Sequence, residues 1–465
     1  MDDAKIYNTK DNHFNIEDIY KRSRVGAPED ELETLEMQAL ALDIFKTGVS
    51  PCHRLSPTGW LPQGEHKTKI QVLSQLVDFA FANVPMYSEI YRSVGYELGS
   101  IRSEADFKSL PVLTRSILNR WNDDDRLSLG RKAIDTYFVG TSGSSGKSLK
   151  VFYDQNAAIV ETLESFKQYA SYINESLSAD RWIYNIHMSR GWLSSLLGAY
   201  RTFTLNEVPP LDALIEHFAK IRPVFLCALP SHLWELSPIG DLSRFGIRAI
   251  STNSEQSSRV ERSKLSEIFG VPVLDEYSSV ELGVIAYECS AGHYHVNEEG
   301  LHIELLDVDD SGFGKVVATD FRSWVMPLIR YDQGDLASWD KSVGVCSCTK
   351  AGNRFSEIRG RADDYFLRED GSKVSSATLL NIVDTLFTGP ASTLKEFRLV
   401  QEAPREIRFE FVVVSGEELA ASSKSQLVES LLINIEPTIK VEFIQRTKLS
   451  ETPSYKRKKV IRAFA

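Results

Sequence analysis

The amino-acid sequence predicts an α/β protein: a large N-terminal domain with mainly parallel sheets flanked by helices, then a small α+β domain. Three observations carry this. Between about residues 135 and 285, short apolar runs alternate with helical stretches, the mark of a largely parallel sheet covered by helices. Beyond Gly360 a fresh set of strands and helices follows, about 100 residues long, an ordinary domain size. The chain's 465 residues are too many for a single hydrophobic core.

The elements follow in order. Residues 1–65 form an N-terminal extension, mostly helical, with one clear helical stretch, PEDELETLEMQALALDIFKTG. HKTKIQVLSQLVDFAFANVPMYSEIYRSVG predicts an amphipathic helix running into Pro85, and Thr114 is the expected N-cap of a short helix in LPVLTRSILNRW. Both segments are expected to pack, and neither carries a titratable cluster. The large domain, 66–360, continues with a long helix in DQNAAIVETLESFKQYASYI and a buried strand in RWIYNIHM, whose His187 is expected to be a core residue. Helices are expected in DALIEHFAKIRP and SRVERSKLSEIFG, strands in PVFLCALPS, IRAISTNSE and VPVLDEYSSVELG. From about residue 300 the β segments shorten: LHIELLDV, GKVVATDF, PLIRYDQGDLASW. The last domain, 361–465, begins near EIRGRADD, a charged, glycine-containing segment suited to a hinge, and opens with a hairpin in DYFLREDGSKV.

Composition excludes several classes of function. Net charge is −11, with 42% hydrophobic and 25% charged residues and no long basic run before the C-terminus, so neither nucleic acid nor a membrane surface is the expected partner. No apolar stretch reaches membrane-spanning length and the first residues lack a signal-peptide core, which makes the cytoplasm the expected location. Five cysteines, Cys52, Cys227, Cys289, Cys346 and Cys348, are too few and too odd for a disulfide framework.

The stretch TSGSSGKSLK, Thr141 to Lys150, lies between the apolar runs TYFVG and VFY. Its glycines let the backbone approach a ligand, and Thr141, Ser142, Gly143, Ser144, Ser145, Gly146 and Lys147 offer hydroxyls, N–H groups and a cation to anionic oxygens. It fails the Walker A pattern, because Thr141 stands where the first glycine should be and a strand follows the loop. The polar strand ends Asn253–Ser254–Glu255 and Tyr277–Ser278–Ser279–Val280–Glu281 are expected at one sheet edge, where α/β sheets bind ligands; Ser254 and Glu255 are therefore candidate contacts. Cys289-x3-His293-x-His295 and Cys346-x-Cys348 supply three thiols and a choice of two imidazoles, a tetrahedral zinc set. Four protein ligands leave no open position, so such a zinc would be structural, and a zinc hydrolase fits poorly.

Taken together, these stretches resemble the adenylate-forming (acyl/aryl-CoA synthetase) superfamily, and within it the phenylacetate–CoA ligase-like branch. TSGSSGKSLK looks like the family's phosphate loop T-S-G-S-T-G-x-P-K, YSSVE like Y-G-x-[ST]-E, and MPLIRYDQGD like M-P-x-I-R-Y-x-T-G-D. GRADD looks like the G-R-x-D-D hinge motif and SYKRKKV like the motif of the catalytic lysine; the five occur in the family's order. The resemblance implies ATP-dependent formation of an acyl-adenylate with release of pyrophosphate, then transfer of the acyl group to a thiol, most simply coenzyme A. It implies that the final domain is a mobile lid turning about Asp363. It assigns the 141–150 loop to the β,γ-phosphates, Glu281 to Mg²⁺ and catalysis, Asp335 to the ribose hydroxyls and Arg361 to ribose or phosphate. Tyr277, with Ser278 beside it, is placed at the adenine, and catalytic Lys456 over the α-phosphate, with Lys458 in reserve. It favours His295 over His293 at the zinc, and it implies a homodimer.

The sequence departs from the family pattern at Ser148, Ser278, Val280, Asp332–Gln333 and Tyr455. A hydroxyl lost at Val280 would remove a phosphate or metal contact worth about 1 kcal/mol. The Ser189–Pro210 segment is shorter than in phenylacetate enzymes, which leaves the acid and the acceptor open. The rival readings are an amide-forming ligase with an amine acceptor, a carrier-protein loading enzyme, and a non-catalytic acyl- or nucleotide-binding relative.

Overall fold

The computed structural model describes residues 67–141, 149–153, 155–173, 182–186, 193–195, 201–205, 208–342, 344–361, 365–387, 393–413, 417–447, 449 and 459–464, with the short strands Leu55–Ser56 and Gly59–Trp60. These residues fall into two compact units. One comprises Phe166–Asp275; the other joins Leu42–Ser165 to Glu276–Ala465.

In the first unit the strands Arg201–Leu205, Trp182–Ile186, Phe225–Ala228, Ala249–Thr252 and Val273–Asp275 lie side by side and parallel, as the β/α alternation predicts. Phe225–Ala228 and Ala249–Thr252 bury every residue, the condition of a strand covered on both faces. Leu214 and Phe218 from the helix Leu211–Ile221 and Leu265 and Phe269 from Arg259–Phe269 fill the core around them. The second of these helices starts at Ser258, whose hydroxyl accepts from the Glu261 N–H at 3.1 Å, and stops at Gly270 with φ +66°. Leu193–Ser195 pairs antiparallel with Arg201–Leu205, an edge strand the sequence pattern does not announce.

In the second unit the paired strands Leu55–Ser56 and Gly59–Trp60 precede two helices rather than the single one expected. Lys69–Asn83 ends before Pro85, which opens Pro85–Ser93 as its first residue, where a missing N–H costs nothing. Thr114 caps Arg115–Leu118 as expected, accepting from the Ile117 N–H at 3.2 Å. Phe138–Gly140 and Lys150–Phe152 form an antiparallel hairpin around the candidate phosphate loop.

The larger sheet of this unit is antiparallel. Its order is Leu301–Leu306, Phe313–Asp320, Tyr331–Trp339, Arg354–Arg361, Tyr294–Val296, Gly283–Glu288 and the end of Val273–Ser279. The parallel expectation therefore stops at this sheet, most of whose successive strands are linked by stretches too short for crossover helices. The C-terminal segment has its own core, with Phe366, Leu379, Leu399, Phe409 and Leu427 buried. Its hairpin, its two helices and the order of its strands follow the sequence pattern. Among the described residues no helix is long and apolar enough to cross a membrane.

Candidate functional site

The candidate site is built on one strand and the turn that follows it. Val273–Ser279 bends at a bulge between Tyr277 and Ser278, and the chain reverses through Ser279–Gly283. The Ser279 hydroxyl accepts from the Leu282 N–H at 3.1 Å, and Gly283 adopts φ +54°. That φ strains any L side chain, and a Cβ at Gly283 would also displace the Glu161 carboxylate, 2.5 Å away, so the turn favours glycine. Two side chains grip the turn from outside: Tyr153 donates its hydroxyl to the Val280 carbonyl, and Arg322 donates to the Leu282 carbonyl at 2.6 Å. Arg322 is itself fixed by Asp320 at 2.8 Å and Glu164 at 3.3 Å. Glu281 is thus presented from a turn held at three points. Ser279 supplies the cap of this turn, and Val280 packs against the apolar core.

Glu281 is 5% exposed, and Tyr331 donates to its Oε1 at 3.3 Å. Arg115 reaches the same oxygen at 3.6 Å and also donates to the Thr141 hydroxyl at 2.6 Å. Thr141 closes the mouth of the hairpin loop: its N–H donates to the Leu149 carbonyl at 2.9 Å and its hydroxyl accepts from the Leu149 N–H at 3.0 Å. Arg115, which sequence reasoning did not single out, joins these candidate site residues by contact. It lies 26 residues before Thr141 in a segment expected only to pack. Its one advance signal was a cation in the first turn after the Thr114 cap.

Asp335 follows Gly334, which has φ +82°, and accepts the Tyr277 hydroxyl at 2.7 Å. Arg361 lies opposite Asp335 in the sheet register. Asp335 thus meets Tyr277 through a side-chain hydrogen bond and Arg361 through sheet register, although the three are widely separated in sequence. Ser278 sits across from Val284 in the same hairpin. Gln333, at a departure from the family pattern, is buried and accepts from the Ser279 hydroxyl at 3.3 Å. Ser254 and Glu255 belong to the first unit. Ser254 has a left-handed backbone, φ +64°, and Glu255 is buried, accepting from the Ser231 N–H at 3.1 Å. Ser142, Gly143, Ser144, Ser145, Gly146, Lys147, His187, Asp363, Lys456 and the helical stretch before residue 50 lie outside the described residues.

The second cluster is the cysteine–histidine set. Two tight turns carry the thiols: Gly292 N–H donates to the Cys289 carbonyl at 2.8 Å and Thr349 N–H to the Cys346 carbonyl at 2.7 Å. Cys289, His295, Cys346 and Cys348 offer ligand atoms that all lie within 4.8 Å of one another. The Cys289 and Cys346 sulfurs are 3.8 Å apart, and Cys348 lies 3.3 Å from His295 Nε2. Tetrahedral zinc–thiolate bonds of about 2.3 Å demand such spacings, so the donor set fits zinc.

Burial pushes the Cys289 thiol up to about 11. Cys346, despite its burial, is held down to about 5 by the Cys348 N–H and by both histidines. Burial also lowers His295, keeping its imidazole neutral as a ligand must be. His293 Nδ1 also comes within 3.3 Å of Cys346, but its ring is more exposed and faces Asp340. Arg354 folds the adjoining loop, binding Asp340 and the carbonyls of Ser342 and Gly344.

The structure overlaps that of a 2-hydroxyisobutyryl-CoA ligase in its postadenylation state with R3-HIB-AMP, at TM-score 0.65 and 15% identity, over 84% of this chain and 88% of that one. The chain has the fold of the acyl-CoA ligases. The same ligase in its thioesterification state, with 2-HIB-AMP and CoA, overlaps at TM-score 0.52 and 16% identity, with 84% and 88% covered. In sequence, this acyl-CoA ligase fold is 22% identical over 325 residues to phenylacetate-coenzyme A ligase of Escherichia coli (strain K12), covering 64% of this chain and 71% of that protein. No protein-family model matches the chain.

Proposed function

We propose that the chain is an ATP- and Mg²⁺-dependent ligase that converts a small carboxylic acid to its acyl-adenylate and passes the acyl group to coenzyme A. The observation that carries this reading is the tie from Thr141, at the mouth of a Gly/Ser/Lys loop, through Arg115 to the buried carboxylate of Glu281. The Tyr277–Asp335 pair opposite Arg361 supports a nucleoside site on the same sheet. The 2-hydroxyisobutyryl-CoA ligase, whose fold this chain shares, was crystallised with an acyl-AMP and with CoA, and the E. coli relative is a coenzyme A ligase.

In the first half-reaction the substrate carboxylate oxygen attacks the α-phosphorus of ATP. The bond from that phosphorus to the bridging oxygen breaks, and pyrophosphate leaves. The loop from Thr141 to Lys147 holds the β,γ-phosphates with hydroxyls, N–H groups and the Lys147 cation. Lys456 is the residue assigned to stabilise the charge that grows at the α-phosphate. Asp335 accepts from the ribose hydroxyls, Arg361 contacts ribose or phosphate, and Tyr277 flanks the adenine. Glu281 is the residue to hold Mg²⁺, which when bound screens the repulsion between anionic nucleophile and anionic phosphate. In the second half-reaction the thiol sulfur attacks the acyl carbon and AMP leaves. Cys289, His295, Cys346 and Cys348 hold a structural zinc away from this chemistry, since the four fill its coordination.

Pyrophosphate release across a panel of aryl, fatty and hydroxy acids tests the first half-reaction, and loss of the trapped adenylate on adding coenzyme A tests the second. An adenylate that survives coenzyme A but is consumed by an amine would replace the acceptor. Absence of pyrophosphate with every acid, and no difference in Lys456→Ala, would leave only a binding protein.

A further inference from the structure

Arg115 differs from Arg322 and Arg330, two buried arginines of its unit. Arg322 and Arg330 are almost fully buried and lie 2.8–2.9 Å from their closest carboxylates, Asp320 and Glu304, as structural ion pairs do. The Arg115 side chain is 20% exposed, and its carboxylate contact, to Glu281, is a loose 3.6 Å. Its position is nevertheless fixed. Leu113 donates to the Arg330 carbonyl at 2.9 Å and accepts from the Asp332 N–H at 2.8 Å, which pins the start of the Arg115 helix to the strand carrying Asp335. A planar, permanently charged fork is thus held at the loop mouth, with one arm on Thr141 and the other on a carboxylate that a cation would claim.

Resting on the ligase reading, we propose that Arg115 is an additional anion-binding residue: the Glu281–Arg115 pair opens when Mg²⁺·ATP arrives, and Arg115 then grips the β,γ-phosphates and the departing pyrophosphate. Glu281 exchanges a guanidinium for the metal, and Arg115 exchanges a carboxylate for phosphate oxygens, so neither charge is left unpaired at any stage. The contact lies at the loop mouth, not at the nucleoside, so it favours ATP and pyrophosphate over AMP.

Calorimetric binding of ATP, pyrophosphate, AMP and a non-hydrolysable acyl-sulfamoyl adenosine to wild type, Arg115→Gln and Arg115→Lys tests this. The expected result is a loss of about 10- to 100-fold for ATP and pyrophosphate in Arg115→Gln, partial recovery in Arg115→Lys, and AMP and acyl-sulfamoyl adenosine affinities within about twofold of wild type. Equal loss for all four ligands, or no loss, overturns the proposal. In wild type, pyrophosphate but not AMP should shield Arg115 from modification by phenylglyoxal, read by mass spectrometry, which keeps the test open if the variants fail to fold. A wild type that binds ATP and forms adenylate, with Arg115 indifferent, refutes this inference alone; one that binds neither ATP nor pyrophosphate refutes the ligase reading with it.

Discussion

Tyr277 donates its phenolic hydroxyl to Asp335 Oδ2 at 2.7 Å, joining two sequence motifs 58 residues apart. Asp335 is 6% exposed, so the bond helps hold its carboxylate in one orientation. With Asp335 as the ribose anchor, Tyr277 is a positioning residue as well as a neighbour of the base. Tyr277→Phe is expected to weaken ATP binding about fivefold, the equivalent of one ordinary hydrogen bond, and Asp335→Ala by more than about tenfold. Calorimetry with ATP and AMP checks both. Unchanged ATP affinity in Asp335→Ala would remove this residue from the nucleoside site.

The cysteine–histidine set predicts one zinc per chain in protein purified without a histidine tag, measured by elemental analysis. Cys346→Ala is expected to lose the metal and lower the thermal midpoint, because the turns that bear the thiols are stitched to each other by that site. His293→Ala is expected to retain it, as His295 completes the set. Zinc-free wild type that is stable and folded would contradict the assignment.

His302 supplies a pH dependence outside the active site. It is 4% exposed, packs edge-on against Phe107 at 5.4 Å, and neither ring nitrogen has a hydrogen-bond partner among the described residues. Burial first, then the Lys69 charge, lowers its pKa to about 4 from 6.5; Glu104 opposes, and Lys108 and Arg330 add to the shift. The unfolded chain therefore binds the proton more tightly. The stability contribution is complete above about pH 6.5 and is lost as the pH falls toward 4, up to about 3 kcal/mol. His302→Leu should gain on wild type in thermal midpoint between pH 7 and pH 4.5. A gap that does not change with pH would show that this imidazole does not titrate with unfolding.

Much of the fold was legible in the sequence, because hydrophobic period and turn residues are local signals. Ser258 and Gly270 bound a helix where expected, and the 138–152 hairpin closes around the loop where two apolar runs flank it. Pairing partners are not local, so the antiparallel register of the 283–361 sheet and the edge strand Leu193–Ser195 escaped. At the site, motif order was enough to nominate Glu281, Tyr277 and Asp335. It could not nominate Arg115, whose partners lie 26 and 166 positions away. Nor could it show Arg330, in the motif MPLIRYDQGD, as a structural residue. That arginine forms a two-pronged pair with Glu304 at 2.9 and 3.0 Å and binds the Lys108 and Leu110 carbonyls.

The most direct test of the central claim is acid-dependent exchange of labelled pyrophosphate into ATP, because only reversible formation of an enzyme-bound adenylate can drive it. The account predicts exchange that needs Mg²⁺ and at least one carboxylic acid, falls by about 100-fold or more in Lys456→Ala, and persists without coenzyme A. Absence of exchange with every acid in a wild-type protein that binds ATP would contradict it.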